Sequence, residues 1–372
     1  MKKLICVQLV AGLMILQGCS SYQVNGVDIP VINEIVGEDK DEYIGDLNIL
    51  NYNDKSARDS EETEETEDVS IMESFSVGDD FAETILKNNM EMIENEAGEP
   101  VRDKDTEAVY FMRSVDLMLT RDLFYEDEEG DMTGLIQTAE KYVGAMVKYH
   151  STAGVFDPDT FSDAGESYRF AAILSKFAGE IVDTKGDLSK EYKDYAQEVF
   201  EYAEASYSKD SLLNDGRYWA LGELYKLTGN SKYDEDLKEY FKDGDAKPPT
   251  GFSKNETGYL GTLAYLTTTN AIDLDLCERM MDSVIDDANS VLDRSRADEY
   301  KVDVGTYDEA SSERAYSNAR LLILADHISQ SVEYTRVALD HVYYIYGRNP
   351  ENISFGETEP EIFILTGLQL LL

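Results

Sequence analysis

The chain has 372 residues, of which 76 are Asp or Glu and 33 are Lys or Arg, so its formal net charge at pH 7 is -43. A charge of this size repels nucleic acid and anionic lipid headgroups, which excludes nucleic acid as a partner. Because the chain has only three histidines and no Cys/His cluster, a zinc site has almost no ligands; no cofactor is expected, and calcium held by carboxylates is the metal that this composition favours.

The N-terminus has the pattern of an export signal. Lys2 and Lys3 precede an apolar run, Leu4–Leu16, that is too short to span a bilayer as a stable helix, which predicts a signal peptide over residues 1–18. The next residues, Leu16-Gln17-Gly18-Cys19, resemble the lipobox of bacterial lipoproteins. Cys19 is therefore predicted to carry lipid as the first residue of the mature protein and to anchor it to the membrane. The alternative is an uncleaved apolar anchor, and under both interpretations the rest of the chain is extracytoplasmic.

Residues 19–76 are predicted to be an acidic, disordered tether. No hydrophobic period persists there, and Ser60–Asp68 (SEETEETED) is a block of like charge without core-forming residues. A loop within the folded domain is the alternative, but structureless stretches of this length are rare in compact domains. Since Cys6 leaves with the signal and Cys19 is acylated, Cys277 remains alone, so no intramolecular disulfide is expected; Cys277 is interpreted as a core residue.

From about Val77 to Leu372 the apolar residues recur at three- and four-residue spacing, which predicts an all-α domain. Twelve helices with alternating long and short connections fit six helical hairpins closed into a ring, an (α/α)6 toroid, better than a four-helix bundle or a solenoid. The predicted helices are Phe81–Glu96, Thr106–Phe124, Thr133–His150, Ala164–Val182, Lys190–Tyr207, Gly216–Thr228, Lys232–Phe241, Glu256–Thr267, Leu274–Leu292, Ala310–Ile328, Val332–Tyr346 and Pro360–Leu372.

The C-terminal third resembles a known family. Ala338–Pro350 reads ALDHVYYIYGRNP, and this is similar to the helix of glycoside hydrolase family 9, the endoglucanase-type cellulases, that ends at a Gly-Arg-Asn-Pro turn beside the substrate cleft. Asp215–Tyr225 (DGRYWALGELY) and Tyr168–Phe177 (YRFAAILSKF) extend the resemblance upstream, and Ala139–Phe156 is weakly similar to a helix that runs into a strand. The resemblance implies a six-hairpin glycosidase fold and inverting hydrolysis of β-1,4-glucan.

These motifs also have structural interpretations. Tyr218 and Trp219 lie on an amphipathic helix, where large aromatic residues are more often core residues than sugar platforms. Gly347–Pro350 combines Gly, a basic residue and Pro, which is typical of a helix end.

Inverting hydrolysis needs a carboxylic acid and a carboxylate base with carboxyl groups roughly 6.5–9.5 Å apart. In the family, the acid is a Glu at the start of the last helix, which the resemblance assigns to Glu361, with Glu359 as the register-shifted alternative. An ordinary first-turn carboxylate, favoured by the helix dipole, is the structural interpretation of the same residue.

The family's base comes from an Asp-Ala-Gly-Asp motif before an early helix. By order along the chain, Asp103 and Asp105 occupy that place, although the Ala-Gly spacer is missing and two acids at a helix start are common in so acidic a chain. The segment Asp163-Ala164-Gly165-Glu166 is closer to the Asp-Ala-Gly-Asp motif in sequence. It precedes a helix that resembles one from the middle of the family's catalytic domain, not its start. Asp163 is therefore interpreted as a helix N-cap with Glu166 at the capping-box position.

The loop between Gly347–Pro350 and the acid is shortened to Glu351–Glu359 and lacks the His and Arg that the family carries there. Three hypotheses therefore stand. The first is a lipid-anchored glycosidase acting on β-1,4-glucan; the second is a catalytically inactive glycan-binding lipoprotein of the same fold. The third is an envelope scaffold for which sugar is irrelevant.

Overall fold

The computed structural model describes residues 21–24, 27–30, 81–124, 132–206, 214–242, 246–253 and 256–355. The chain divides into two compact units, and the larger one contains Val77–Leu372. In the smaller unit, Leu9–Ser76, the described residues are two antiparallel strands, β1 (Ser21–Val24) and β2 (Val27–Pro30), with Tyr22 opposite Ile29. The tether interpretation did not anticipate this hairpin. Cys19 and the acidic block at residues 60–68 lie outside the described residues.

Eleven α-helices form the described part of the larger unit, and they confirm the all-α prediction. A two-residue strand pair, β3 (Ser151–Thr152) and β4 (Val155–Phe156), follows the third helix at the place where a strand was weakly indicated. No helix in the described ranges has both the length and the apolar character needed to cross a bilayer. The helices are α1 Phe81–Glu96, α2 Lys104–Phe124, α3 Met132–Tyr149, α4 Ala164–Glu180, α5 Gly186–Ser206, α6 Asp215–Thr228, α7 Ser231–Lys238, α8 Gly258–Leu266, α9 Leu274–Ala297, α10 Ser311–Ser329 and α11 Val332–Ile345.

Each bound lies within a few residues of its prediction, and the twelfth predicted helix, Pro360–Leu372, lies outside the described residues. The largest differences are at α9, which continues five residues past the predicted Leu292 to Ala297, and at α5, which begins at Gly186 rather than Lys190. Asp163 is the N-cap of α4 as predicted, because its side chain accepts from the Glu166 N–H at 2.9 Å. Glu166 reaches back to the N–H of Ser162 instead of that of Asp163, so the capping box is displaced by one residue.

The even-numbered helices form an inner ring and the odd-numbered helices surround it. All nine residues of α8 are buried, whereas α7 buries only Tyr233 and Leu237. This difference follows from position, since an inner helix has neighbours on every side and an outer helix has them on one face. Inner helices α6 and α8 pack very closely: a Cβ on Gly261 would lie 2.5 Å from the Tyr218 ring, which requires glycine there.

The inner helices run parallel, so their first turns meet at one end of the ring, called here the amino end. Lys104 of α2 pairs with Glu166 of α4, and a Cβ on Gly216 of α6 would lie 2.8 Å from the Gly165 carbonyl oxygen of α4. Asp215, at the start of α6, accepts hydrogen bonds from the backbone of residues 257 and 258 at the start of α8. The Phe252 N–H, just before α8, donates to Ser317 Oγ in the second turn of α10 at 3.1 Å.

Buried side chains fill the interior of the ring. Trp219 is fully buried, its ring lies 5.6 Å from that of Phe111 across the interior, and its Nε1 donates to Glu223 at 3.0 Å. Trp219 and Tyr218 are therefore core residues, as the structural interpretation predicted, and Cys277 is also buried. An ion pair between Asp116 of α2 and Arg320 of α10, both of which are buried, links the first and the last of the described inner helices.

Candidate active site

Asp103 and Asp105 both lie in the first turn of α2, at the amino end of the inner ring. Asp103 is the N-cap of this helix: its Oδ1 accepts from the Thr106 N–H at 2.8 Å and from Thr106 Oγ1 at 2.7 Å. These hydrogen bonds hold the pKa of the Asp103 carboxyl below its ordinary value. Asp105 is exposed beside it. The structure thus brings the two predicted bases together, one as an ionised helix cap and the other as a free-standing carboxylate.

The predicted acid, Glu361, and its alternative, Glu359, lie outside the described residues. The segment that leads toward them starts at the Gly347–Pro350 turn, where α11 has ended at Ile345 and Gly347 takes the left-handed φ of 125°. The helix-end interpretation of this motif is therefore confirmed.

Two side chains hold that turn at the amino end. Arg348 pairs with Asp340 at 2.6 Å and donates at 2.8 Å to the carbonyl of Tyr300, in the segment that leads into α10. The buried Asn349 donates to the carbonyl oxygens of Tyr344 and Ile353, each at 2.8 Å, which fixes the chain direction after the turn. The family motif thus fixes the end of α11 and the direction of the described residues that follow it.

A cluster that the sequence reasoning missed anchors the start of α2. His150, which is fully buried, has Nε2 at 2.6 Å from Glu107 Oε1 and Nδ1 at 2.8 Å from Thr160 Oγ1. Lys104 Nζ donates to Glu107 Oε2 at 3.0 Å and to the Thr160 carbonyl at 2.9 Å, and it pairs with Glu166. The cluster therefore ties α2 to α4 and to the end of α3.

The charge of Glu107 follows from its hydrogen-bond partners. Thr160 Oγ1 donates to the Asp157 carbonyl at 2.6 Å and lies 2.8 Å from His150 Nδ1. Burial opposes a charge on Glu107, but the bonds from His150 and Lys104 prevail and lower its pKa. The ionised Glu107 accepts from His150 Nε2 through Oε1 and from Lys104 through Oε2.

Glu107 is consequently a poor candidate for the general base, because both of its carboxylate oxygens are already hydrogen-bonded, one to His150 and the other to Lys104. The cluster positions the first turn of α2 and leaves Asp103 and Asp105 at its surface. One sequence signal could have indicated this cluster: Lys104 and Glu107 are three residues apart at a helix start and therefore share a face of the helix.

A polar cavity of about 790 Å³ opens between the segment that precedes α8 and the first two turns of α10. Its lining includes Arg294, Arg314, Asp303 and Asp308. Arg314 donates to the carbonyl oxygens of Val304 at 2.6 Å and of residue 306 at 3.1 Å, so the arginine holds the loop that forms one wall. Charged side chains and backbone groups of this kind bind hydroxyl-rich ligands, and none of these residues was selected from the sequence.

A buried histidine supports the same loop from behind. The Asp303 N–H donates to His341 Nε2 at 3.0 Å, while His341 Nδ1 lies 2.7 Å from the Val337 carbonyl, so the ring is neutral with its proton on Nδ1. Burial lowers the pKa of His341 to about 4, which keeps the ring in this form at neutral pH.

The described residues contain no group of three or more His, Cys, Asp or Glu side chains arranged to hold a metal ion. The amino end instead carries carboxylates at the start of α2 and, at α10, the polar cavity.

This fold places the protein in the class of six-hairpin (α/α)6 toroids. A sequence profile described as "Glycosyl hydrolase family 9" matches residues 96–356, well over half of the chain. The chain belongs to that family, as its resemblance predicted.

Comparisons with individual proteins agree with this family assignment. The chain is similar to "Endoglucanase D" of Acetivibrio thermocellus, with 26% identity over 143 residues, which are 38% of this chain and 23% of that protein. Among solved structures, a metagenome-derived family 9 endoglucanase superposes with a TM-score of 0.56 at 17% identity, over 67% of this chain and 54% of that one. The family 9 endoglucanase J30 superposes with a TM-score of 0.55 at 19% identity, over 67% of this chain and 56% of that one. A family 9 protein of Bacteroides ovatus superposes with a TM-score of 0.52 at 17% identity, over 67% of this chain and 56% of that one.

These matches have two limits set by coverage and identity. The chain spans less than a quarter of the length of the curated endoglucanase and little more than half of each solved structure. At these identities the structural likeness establishes the fold.

Proposed function

We propose that this protein is a glycosidase that hydrolyses β-1,4-glucan with inversion at the anomeric carbon. The observation that carries the proposal is the ionised, exposed carboxylate of Asp103 in the first turn of α2, with Asp105 beside it. Both residues lie at the amino end, where the Gly347–Pro350 turn directs the chain toward Glu361.

In the proposed mechanism, Asp103 or Asp105 accepts a proton from the attacking water and Glu361 donates one to the leaving oxygen. A base must be ionised at the working pH, and the two Thr106 hydrogen bonds favour that state for Asp103. The acid must instead hold a proton until the glycosidic bond breaks. The base and acid carboxyl groups have to stand roughly 6.5–9.5 Å apart so that water fits between the base and the sugar.

The test is turnover of a soluble β-glucan by the unmodified protein and by Glu361→Gln. Loss of a general acid lowers the rate by about 10²–10⁴-fold. Loss of a first-turn carboxylate costs only about 0.3–1 kcal/mol of stability. We expect Glu361→Gln to lose turnover with its melting temperature nearly unchanged, and proton NMR of the first product to show the inverted anomer. Retention of configuration would refute the mechanism.

We also propose that the protein is lipid-anchored through Cys19 and extracytoplasmic, so that the domain meets polysaccharide outside the cell. The support is the lysine pair, the apolar run and the Leu16–Cys19 lipobox. Mass spectrometry of the membrane fraction should find a diacylated Cys19 at the mature N-terminus. Unchanged processing and membrane retention in Cys19→Ala would refute the anchor.

One observation favours a second candidate, a glycan-binding or scaffold lipoprotein without turnover. Asp103 Oδ1 is already engaged as a helix cap, and the loop Glu351–Glu359 is short and contains no His or Arg. If the unmodified protein binds a β-glucan but releases no reducing sugar from any β-glucan tested, this candidate replaces the enzyme.

A further inference from the structure

A groove of about 960 Å³ runs along the outer helix α3 and is lined by three lysines, Lys141, Lys148 and Lys185. Two carboxylates, Glu99 and Glu140, also line it, so its charged lining sums to a positive value in a chain whose net charge is -43. Its volume lies at the upper end of the roughly 300–1,000 Å³ that small-molecule sites occupy. The groove is thus a local exception to the charge of the whole chain.

Two of the lysines are available to a ligand. Lys185 pairs with Glu140, whereas Lys141 and Lys148 are exposed, and neither has an ion pair with another described residue. They are seven residues apart on one face of α3, which places them about 10 Å apart along the helix axis. This distance is about the length of one disaccharide unit in an extended chain.

Small residues form the floor between the two lysines. Gly144 and Ala145 line the groove there, and a Cβ on Gly144 would meet only the Tyr192 hydroxyl, at 3.8 Å. Burial raises the pKa of Tyr192 to about 12, with Glu140 adding to the effect, so the phenol stays neutral and keeps its hydroxyl hydrogen. Tyr149 adds a second aromatic side chain to the lining.

The donors and acceptors in this lining select the chemistry of the ligand. Ammonium groups donate to anionic oxygens, whereas the carboxylates of Glu99 and Glu140 accept from hydroxyl groups and repel phosphate. A uronic acid offers both partners, one carboxylate per sugar and several hydroxyl donors. A polyphosphate offers acceptors alone, and its high charge density is opposed by the net charge of the protein.

We propose that this groove binds a β-1,4-linked oligosaccharide that contains uronic acids, with Lys141 and Lys148 each pairing with one carboxylate. The groove includes residues 98–101, which lead into the start of α2, but binding there does not depend on turnover by the α2 carboxylates. It would hold an acidic glycan against the outside of the ring.

The test is calorimetric titration of the full chain with two oligosaccharides of equal length and linkage, a cello-oligosaccharide and its C6-oxidised glucuronate counterpart. We expect the oxidised ligand to bind and the neutral one to bind at least tenfold more weakly, with the difference shrinking at high salt because exposed charges are screened. Equal affinity for the two ligands would overturn the proposal. So would displacement of the oxidised ligand by inorganic phosphate at comparable concentration, which would mark an adventitious anion site.

Matched variants locate the site. Lys141→Gln/Lys148→Gln should lower the affinity about tenfold, as expected for two partly exposed charge pairs. Lys232→Gln/Lys242→Gln removes the same charge from exposed lysines that do not line the groove, and it should leave the affinity unchanged. Equal losses in the two double variants would show a general charge effect and overturn the proposal.

Gly144→Leu provides an independent check that keeps every charge. Only the Tyr192 hydroxyl lies near the added Cβ, and leucine is a better helix former than glycine, so the variant should fold. Its side chain fills the floor between the two lysines and should abolish binding of the oxidised ligand. Full binding by a folded Gly144→Leu would place the ligand elsewhere.

Discussion

Replacing Asp103 by Asn separates the two roles that the start of α2 assigns to this carboxylate. Asn is as good an N-cap as Asp, so its side-chain oxygen can still accept from the Thr106 N–H. It cannot accept a proton from water. If Asp103 is the base, Asp103→Asn should lower turnover of a soluble β-glucan by about 10²–10⁴-fold, while the melting temperature remains nearly that of the unmodified protein.

The companion variant Asp103→Ala removes the cap as well as the base. Loss of an N-cap costs about 1 kcal/mol, within a range of roughly 0.5–2 kcal/mol. For a domain of this size, a cost of about 1 kcal/mol corresponds to a fall of about 1–2 °C in melting temperature. The two variants should therefore be equally inactive but should differ in stability.

Asp105→Asn is the matched control, because it removes an exposed carboxylate from the same helical turn. Reducing-sugar release and differential scanning calorimetry on the three variants give the complete comparison. A loss confined to Asp105→Asn would make Asp105 the base. If the unmodified protein is active and both Asn variants keep full turnover, neither aspartate is the base and the assignment at α2 is wrong.

Three further predictions concern the stability of the domain. Burial lowers the pKa of Arg320 to about 9, so the residue is still charged at neutral pH. Asp116→Asn leaves that charge unpaired and should lower the unfolding free energy, measured by chemical denaturation, by about 3–5 kcal/mol. A loss below about 1 kcal/mol would show that the ion pair does not stabilise the fold. The pKa of His341 falls from 6.5 to about 4 on folding, so between these pH values the unfolded state binds a proton that the folded state does not. The unfolding free energy should therefore drop as the pH falls from about 6.5 to about 4, by up to about 1.4 kcal/mol per pH unit. His341→Gln should flatten that dependence, and an unchanged slope would refute the neutral, buried state of His341. A chain that starts at Val77 should retain its helical circular dichroism and cooperative melting, because residues 20–76 contain too little apolar surface to offset chain entropy; a broad, non-cooperative transition would contradict this.

The fold was predictable from the sequence because each helix carries its own local signals. Asp163 shows how direct these signals are, since a capping residue before an apolar period predicted a helix start to the residue. The assignment of inner and outer helices was not made, although α8 could have suggested it. Its sequence, GYLGTLAYL, has no polar face, as expected for a helix that is buried on all sides.

The candidate site was predictable only in part. Order along the chain led to Asp103 and Asp105, because a helix start and a family motif are both local patterns. The cluster around His150 was missed because its members come from residues 104 to 166 and meet only when α2, α3 and α4 pack together. The hairpin at Ser21–Pro30 was missed for a different reason, because its alternation lasts only four residues in each strand.

The buried ion pair between α2 and α10 also has a consequence for how the chain folds. Its two residues, Asp116 and Arg320, are 204 positions apart, so nearly the whole ring must be synthesised before the contact can form. Contacts of such long range slow folding, since the entropy of closing the loop is lost before the contact stabilises anything. Before α10 is synthesised, the contact between α2 and α10 cannot form, and the early helices form an open arc with exposed apolar edges. We therefore expect closure of the ring to be the slow step of folding and the partly closed arc to be the species most prone to aggregation.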